Sequence, residues 1–297
     1  MTVLQETKMS TRIILFIFLT GLLTACGGGE QRQVIQNKGS DTLVNVAQAW
    51  AEEYQVVNPT VVVAVSGGGS GTGIASLING TVDIANSSRA IKDKELKLAQ
   101  DNGQNPVQHV VGFDALAVYL HPDNPLDEIS NEQLVEIYGD GGSYQNWNDL
   151  GVDVPGCQGQ EIVVVSRQNN SGTYAYFREA VLGDADFRLG TRDMHGSKDV
   201  VDLVENTPCA IGYSGLAYAT EHVKLACVAQ ETGGACVNPS VATAVDGSYP
   251  IARPLFMYTN GQPTGFVGDY LNWILSNEGQ CIILNKGYAP AIAVDCG

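Results

Sequence analysis

Ile162-Val163-Val164-Val165-Ser166-Arg167-Gln168-Asn169-Asn170-Ser171-Gly172-Thr173-Tyr174 is a β-branched run, a polar turn and the start of an apolar-periodic segment. Ile162–Val165 reads as a strand and Tyr174–Val181 as a helix, so the turn sets a helix N-terminus at a strand end. The same design occurs twice more. Val34-Ile35 reads as a strand leading into Lys38-Gly39-Ser40-Asp41-Thr42, followed by a helix over Leu43–Val57 with Leu43, Val46, Ala47 and Trp50 on one face. Val61–Val65 reads as a buried strand ending in Ser66-Gly67-Gly68-Gly69-Ser70-Gly71-Thr72-Gly73, with Ile74–Ile78 starting the next helix. A helix N-terminus carries unpaired N–H groups and partial positive charge, and so binds oxyanions. Glycine lets a ligand reach the backbone, and Ser or Thr hydroxyls add donors. Each turn alone reads equally as an N-cap. Three together, one bearing Arg167, point to an oxyanion, because a guanidinium fork matches a tetrahedral anion bidentately. After a strand over Val82–Ala85, Asn86-Ser87-Ser88-Arg89 offers a second arginine and further hydroxyls.

The remaining pattern alternates strands with helices, which is α/β architecture. A helix is expected over Asp93–Gln100, separate strands over Val107–Val111 and Ala115–Leu120, and further helices over Lys198–Val204 and Phe266–Leu275. Ser130 and Gln133 form a capping-box signature for a helix running to Tyr138. No internal repeat is present. Pro106, Gly112-Phe113 and Ser248-Tyr249-Pro250 are candidate points at which the chain crosses between two lobes.

Composition bounds the partners. The chain has 297 residues, 44% of them hydrophobic, enough for two cores, and a formal net charge of −16 from 16 Lys+Arg and 32 Asp+Glu. That balance argues against nucleic acid, whose affinity rests on clustered Lys and Arg. It does not exclude a small anion, since exposed charges are screened beyond about 8 Å at physiological salt while a few oriented donors act at contact. Enzymatic signatures are missing. Gly212-Tyr213-Ser214-Gly215-Leu216 fails the Gly-x-Ser-x-Gly elbow at its last position, and the Gly run lacks the Gly-Lys-Ser/Thr of a nucleotide loop. His109, His121, His195 and His222 all lie outside the anion turns. No catalytic residue and no cofactor is assigned.

Lys8 and Arg12 precede the apolar run Ile13–Leu19, which continues to Leu23. It falls short of the about 20 residues of a membrane span and suits a signal-peptide core. Its end, Leu23-Thr24-Ala25-Cys26-Gly27, resembles the lipobox of bacterial lipoproteins, which implies a leader over 1–25, a palmitate-type lipid anchor on Cys26 and a tether over 26–33. The remaining Cys157, Cys209, Cys227, Cys236, Cys281 and Cys296 are an even set in an exported chain and read as three disulfides, with 15 possible connectivities. Cys227–Cys236 around a short Gly-rich loop is favoured first and Cys281–Cys296 next, leaving Cys157–Cys209. No metal is expected, for want of Cys-x-x-Cys or clustered His.

These segments carry a resemblance that spans essentially all of the mature sequence. Gly39-Ser40-Asp41-Thr42-Leu43, Gly69-Ser70-Gly71-Thr72-Gly73-Ile74, Thr81–Ala85, Ser87-Ser88-Arg89, Asp114–Val118, Arg167-x-x-x-Ser171-Gly172-Thr173, Ala210–Tyr213 and Tyr249–Leu255 resemble the substrate-binding lipoproteins of bacterial phosphate ABC transporters. The resemblance implies a two-lobed periplasmic-binding-protein-like (type II) α/β fold with two chain crossings, lobe I being 34–112 and 249–297 and lobe II 113–248. It implies a monomeric, extracytoplasmic, lipid-anchored protein, without enzymatic activity, that captures inorganic phosphate and delivers it to a permease. Thr42 with the Leu43 amide, Ser70, and Ser88 or Arg89 would act from one lobe, and Arg167, Ser171, Gly172 and Thr173 from the other. Well-studied members of the family carry an aspartate where this chain has Ser88, and that carboxylate accepts the proton of hydrogen phosphate; here Arg89 follows instead, as in another branch of the family. Here Asp114 is the first candidate for that task and Asp41 the second. Without an acceptor the ligand would be another oxyanion such as sulfate or molybdate; an exported hydrolase is the remaining alternative.

Overall fold

In the computed structural model, residues 32–297 are described. The leader, Cys26 and the tether as far as residue 31 lie outside them. Along the chain run β1 (Gln33–Gly39), a 3-10 turn (Asp41–Leu43), α1 (Val44–Val57), β2 (Val61–Ser66), α2 (Ser70–Ile78), β3 (Ile84–Ser87), α3 (Asp93–Asp101) and β4 (Pro106–Leu120). Next come β5 (Glu128–Ser130), α4 (Asn131–Tyr138), β6 (Val163–Arg167), α5 (Gly172–Ala180), β7 (Arg192–Met194), α6 (Ser197–Glu205) and β8 (Ala210–Gly215). The chain ends with β9 (Lys224–Ala229), β10 (Cys236–Val237), α7 (Val241–Val245), β11 (Ala252–Asn260), α8 (Gly265–Ile274), α9 (Asn277–Asn285) and β12 (Ala289–Pro290).

The sheet has the strand order β2-β1-β3-β11-β4-β8-β6-β7 along its main path. Two parallel groups, β2-β1-β3 and β8-β6-β7, are joined through the antiparallel strands β11 and β4. β4 is one strand of 15 residues, not the two expected. Its first part pairs with β11 as far as Ala115, and Leu116–Leu120 then pairs with β8. Gly112 continues the strand because its backbone keeps pairing, with Leu255 on one side and Pro290 on the other.

Each side of this seam has its own core, which gives the two-lobed α/β fold. Ile35, Leu43, Trp50, Val111, Leu255, Met257, Tyr270 and Ile283 pack on one side. Leu116, Val118, Ile129, Leu134, Trp147, Phe177, Tyr213 and Ile251 pack on the other. Every residue of these two sets is at most 2% exposed, so each side chain contributes about 1.5–3 kcal/mol of burial.

Capping explains the helix starts. Ser130 Oγ accepts from Gln133 N–H while Gln133 Oε1 accepts from Ser130 N–H, the expected capping box. Ser171 Oγ accepts from the Thr173 and Tyr174 amides, so α5 begins at Gly172, two residues before the apolar periodicity does. α2 likewise starts inside the Gly-rich run, and Ile74–Ile78 closes that helix instead of opening it. β2 is an edge strand with only Val61 fully buried, because β1 covers one edge and nothing pairs the other among the described residues. α9 follows α8 after Ser276, whose hydroxyl caps it, and was not expected from the sequence. The disulfides are Cys157–Cys209, Cys227–Cys236 and Cys281–Cys296, the favoured pairing. No helix among the described residues is long and apolar enough to cross a membrane.

Candidate functional site

Because β1, β2 and β3 are parallel neighbours, their carboxyl ends lie along one edge. That edge carries the 3-10 turn with Thr42, the N-terminus of α2 with Ser70, and Ser88 just beyond β3. β6, parallel to β7 and β8, carries Arg167 and the N-terminus of α5 from the other lobe. The two edges meet. Gly71 N–H donates to Asn170 O at 2.9 Å, and Asn170 Nδ2 donates to Gly68 O at 3.0 Å. Gly39 permits the first turn through a φ of +146° and by lying against Asn86, whose carbonyl oxygen would sit 2.1 Å from an added Cβ.

At the meeting point the polar groups are mostly donors. Ser40 Oγ donates to Ser88 Oγ at 3.0 Å, Ser70 and Ser88 hydroxyls lie 3.3 Å apart, and Ser88 N–H donates to Ser70 Oγ at 3.0 Å. Thr42 and Thr173 hydroxyls, one from each lobe, lie 3.1 Å apart. A hydroxyl has one proton. Within each of the pairs Ser70/Ser88 and Thr42/Thr173, one proton serves the partner and the other finds no protein acceptor among the described residues. All four side chains are buried. Two buried donors in want of an acceptor suit a ligand rich in acceptor oxygens, since an unpaired buried polar group costs about 1–3 kcal/mol.

Arginines and carboxylates surround these hydroxyls. Arg253, in β11, lies opposite Asp114 in β4. Its Nη2 and Nε donate to Asp114 Oδ2 at 2.8 and 3.2 Å, and Nη2 also reaches Thr173 Oγ1 at 3.0 Å and Thr42 Oγ1 at 3.3 Å. Both side chains are fully buried. Asp114 Oδ1 has no hydrogen-bond partner among the described residues, although the Leu216 amide lies near enough to favour the carboxylate's charge. Burial pushes the Asp114 carboxyl above the usual aspartate range, against the pull of Arg253. Arg167 donates to Asp41 Oδ2 at 3.2 Å, His195 O at 2.8 Å and Ser197 Oγ at 3.0 Å. Burial lowers the Arg167 pKa while Asp41 opposes that. Asp41 Oδ1 in turn accepts from Gly68 N–H at 2.8 Å, so this carboxylate ties two anion turns to Arg167.

The structure therefore gathers Thr42, Ser70, Ser88, Gly172, Thr173 and Asp114 into one buried cluster. Leu43 adjoins it, but its amide donates to Ser40 O at 3.1 Å. Ser171 serves as the α5 cap. Arg167 sits at the rim of the cluster on Asp41. Arg89 turns away: its two terminal nitrogens hold Glu95 Oε2 and Oε1 at 2.8 and 2.7 Å, and Nη1 also donates to Ala90 O. Burial raises the Glu95 pKa, but the Arg89 hydrogen bonds, the Lys92 amide and the charges of both residues together outweigh it and hold the carboxyl below the ordinary glutamate range. Sequence reasoning passed over Ser40, Asn170 and above all Arg253. The signal for Arg253 was a lone charge inside the apolar strand Ile251-Ala252-Arg253-Pro254-Leu255, which burial obliges to find a partner.

A family model described as a PBP superfamily domain matches residues 27–278. The phosphate-binding protein PstS of Pseudomonas aeruginosa is 34% identical over 267 residues, covering 86% of this chain and 82% of the relative. Protein SphX of Synechococcus elongatus is 34% identical over 271 residues, covering 88% of this chain and 78% of the relative. Among solved structures, a phosphate ABC transporter substrate-binding protein with bound phosphate from Clostridium perfringens superposes with a TM-score of 0.75. It is 26% identical, covering 88% of this chain and all (100%) of that one. An ABC-type phosphate transport receptor from Vibrio cholerae gives a TM-score of 0.68 at 25% identity, covering 86% and 99%.

Proposed function

This chain belongs to the phosphate-binding-protein family of ABC transporters, and from that premise we propose that it captures inorganic phosphate between its lobes and delivers it to a permease. The observation that carries the reading is the donor surplus: two buried hydroxyl protons without acceptors among the described residues, beside the guanidinium of Arg253. The family is one of transport proteins, and no step of bond-breaking is assigned to any residue. Lobe I is taken as 34–112 and 249–297 and lobe II as 113–248, a division supported by the two cores on either side of β4 except at the second crossing, where Tyr249 and Ile251 pack with the lobe II core. The lobes close on the anion as rigid bodies about the crossing strands. The protein acts as a monomer, held at the outer face of a membrane by lipid on Cys26.

Phosphate as the hydrogen phosphate dianion both accepts and donates, whereas sulfate only accepts. Asp114 Oδ1, buried and without a partner among the described residues, is the acceptor for the ligand's proton. Asp41 is the weaker candidate, since Gly68 and Arg167 take up both of its oxygens. Calorimetric titration with phosphate, arsenate, sulfate and molybdate tests the reading, on protein unfolded and refolded to remove carried ligand. Phosphate and arsenate should bind at least about tenfold tighter than sulfate, the worth of one hydrogen bond to a charged group. Equal or tighter binding of sulfate or molybdate would replace phosphate as the ligand.

A further inference from the structure

A guanidinium donates hydrogen bonds and accepts none. A threonine hydroxyl in contact with one can only accept there, so its own proton must point elsewhere. Arg253 meets two such hydroxyls at once: one N–H of Nη2 goes to Asp114, and the other is shared between Thr173 at 3.0 Å and Thr42 at 3.3 Å. The fork is itself immobilised. Asp114 Oδ2 holds Nη2 and Nε, Ser88 O accepts from Nη1 at 3.3 Å, and the Tyr176 ring lies 5.6 Å below the guanidinium carbon. The Arg253 and Asp114 side chains are both 0% exposed, so water does not compete for these bonds.

We propose that Arg253 is a positioning residue of the anion site, which donates to Thr42 and Thr173 and so, once the ligand displaces the contact between the two hydroxyls, turns both of their protons toward the bound oxyanion. The two hydroxyls come from opposite lobes, so the orientation is complete only when the lobes are together. Asp114 then has two tasks: Oδ2 anchors the fork and Oδ1 faces the ligand's proton. Ser70 stands outside this arrangement, since its contacts are Ser88 Oγ and Ser88 N–H and not Arg253. The inference rests on the phosphate reading and adds how the donors are aimed.

Double-mutant cycles with inorganic phosphate, followed by calorimetry, test it. In the parent, Thr42→Val and Thr173→Val should each weaken binding about tenfold or more. In an Arg253→Lys background, where an ammonium without the planar fork cannot hold Asp114, Ser88 O and both hydroxyls at once, the same changes should cost less than about threefold. Ser70→Ala should cost the same in both backgrounds, and a purely structural role for Arg253 would not produce that split. Should Arg253→Lys fail to fold, the cycle is run on Arg253→Gln/Asp114→Asn, which removes the buried charges together. Full Thr42 and Thr173 costs in either background, or a Ser70 cost that shrinks equally, overturns the inference. A parent that gives no phosphate binding overturns the phosphate reading and this inference with it; a parent that binds but shows additive cycles overturns this inference alone.

Discussion

Asp114 and Arg253 face each other across β4 and β11, and every contact each makes is shielded from water. The carboxyl's raised pKa gives its proposed role as proton acceptor a pH sign. To accept the ligand's proton Asp114 must be ionised, so phosphate affinity falls as pH drops through a value above the about 3.9 of a free aspartate. Asp114→Asn keeps the shape and an acceptor oxygen but removes the charge. The preference for phosphate over sulfate should then narrow by about tenfold or more, and the acid limb assigned to this group should vanish from the affinity profile. Competition titrations between pH 4.5 and 8 read both effects. An unchanged preference would move the proton acceptor to another group. Melting curves run alongside, because a lone buried Arg253 costs about 3–5 kcal/mol.

Three strand–turn–helix units meet at the proposed site, and their close approach is set by the absence of side chains. A Cβ at Gly172 would lie 2.2 Å from Ser70 Oγ and 2.5 Å from Ser88 Oγ, well inside contact. Both are short buried side chains with nowhere to swing. Gly172→Ala should therefore hold the α5 terminus off the other lobe and weaken phosphate binding by about a hundredfold, the loss of two charge-assisted bonds. Each lobe keeps its own core, so the melting temperature should move by no more than a few degrees. Calorimetry and a thermal melt on the same sample decide this. Near-parent affinity would show that Gly172 does not touch the opposing serines in the bound state. All three turns were legible in the sequence, because Gly, Ser and Thr between a β-branched run and a helical period are local signals. The starts of α2 and α5 and the continuity of β4 were not, since N-cap bonds and cross-strand partners override the apolar pattern that marks an element's middle.

The net charge of −16 belongs to the whole molecule and acts at a distance. At about 0.01 M salt the screening length is about 30 Å, so a phosphate dianion approaches against the summed negative field; at 0.15 M it is about 8 Å. The capture rate should rise between these conditions, the reverse of an electrostatically steered site. Stopped-flow binding over that range measures it, and a rate that falls with salt would mean that local positive potential at the cleft outweighs the global charge.

Sequence by itself determined the α/β alternation, the three Gly/Ser/Thr turns, the even set of six pairing cysteines and the net negative charge. Each of these is a local pattern or a sum over composition. The pairing of Asp114 with Arg253, separated by 139 positions, was decided only when β4 and β11 came into register. The division of labour among three arginines was decided in the same way. Arg89 went to Glu95, Arg167 to Asp41 across the lobes, and Arg253 to the hydroxyls at the centre. An arginine's reach is longer than the spacing between turns, so which oxygen it meets depends on strand order and helix placement, not on its neighbours in the chain.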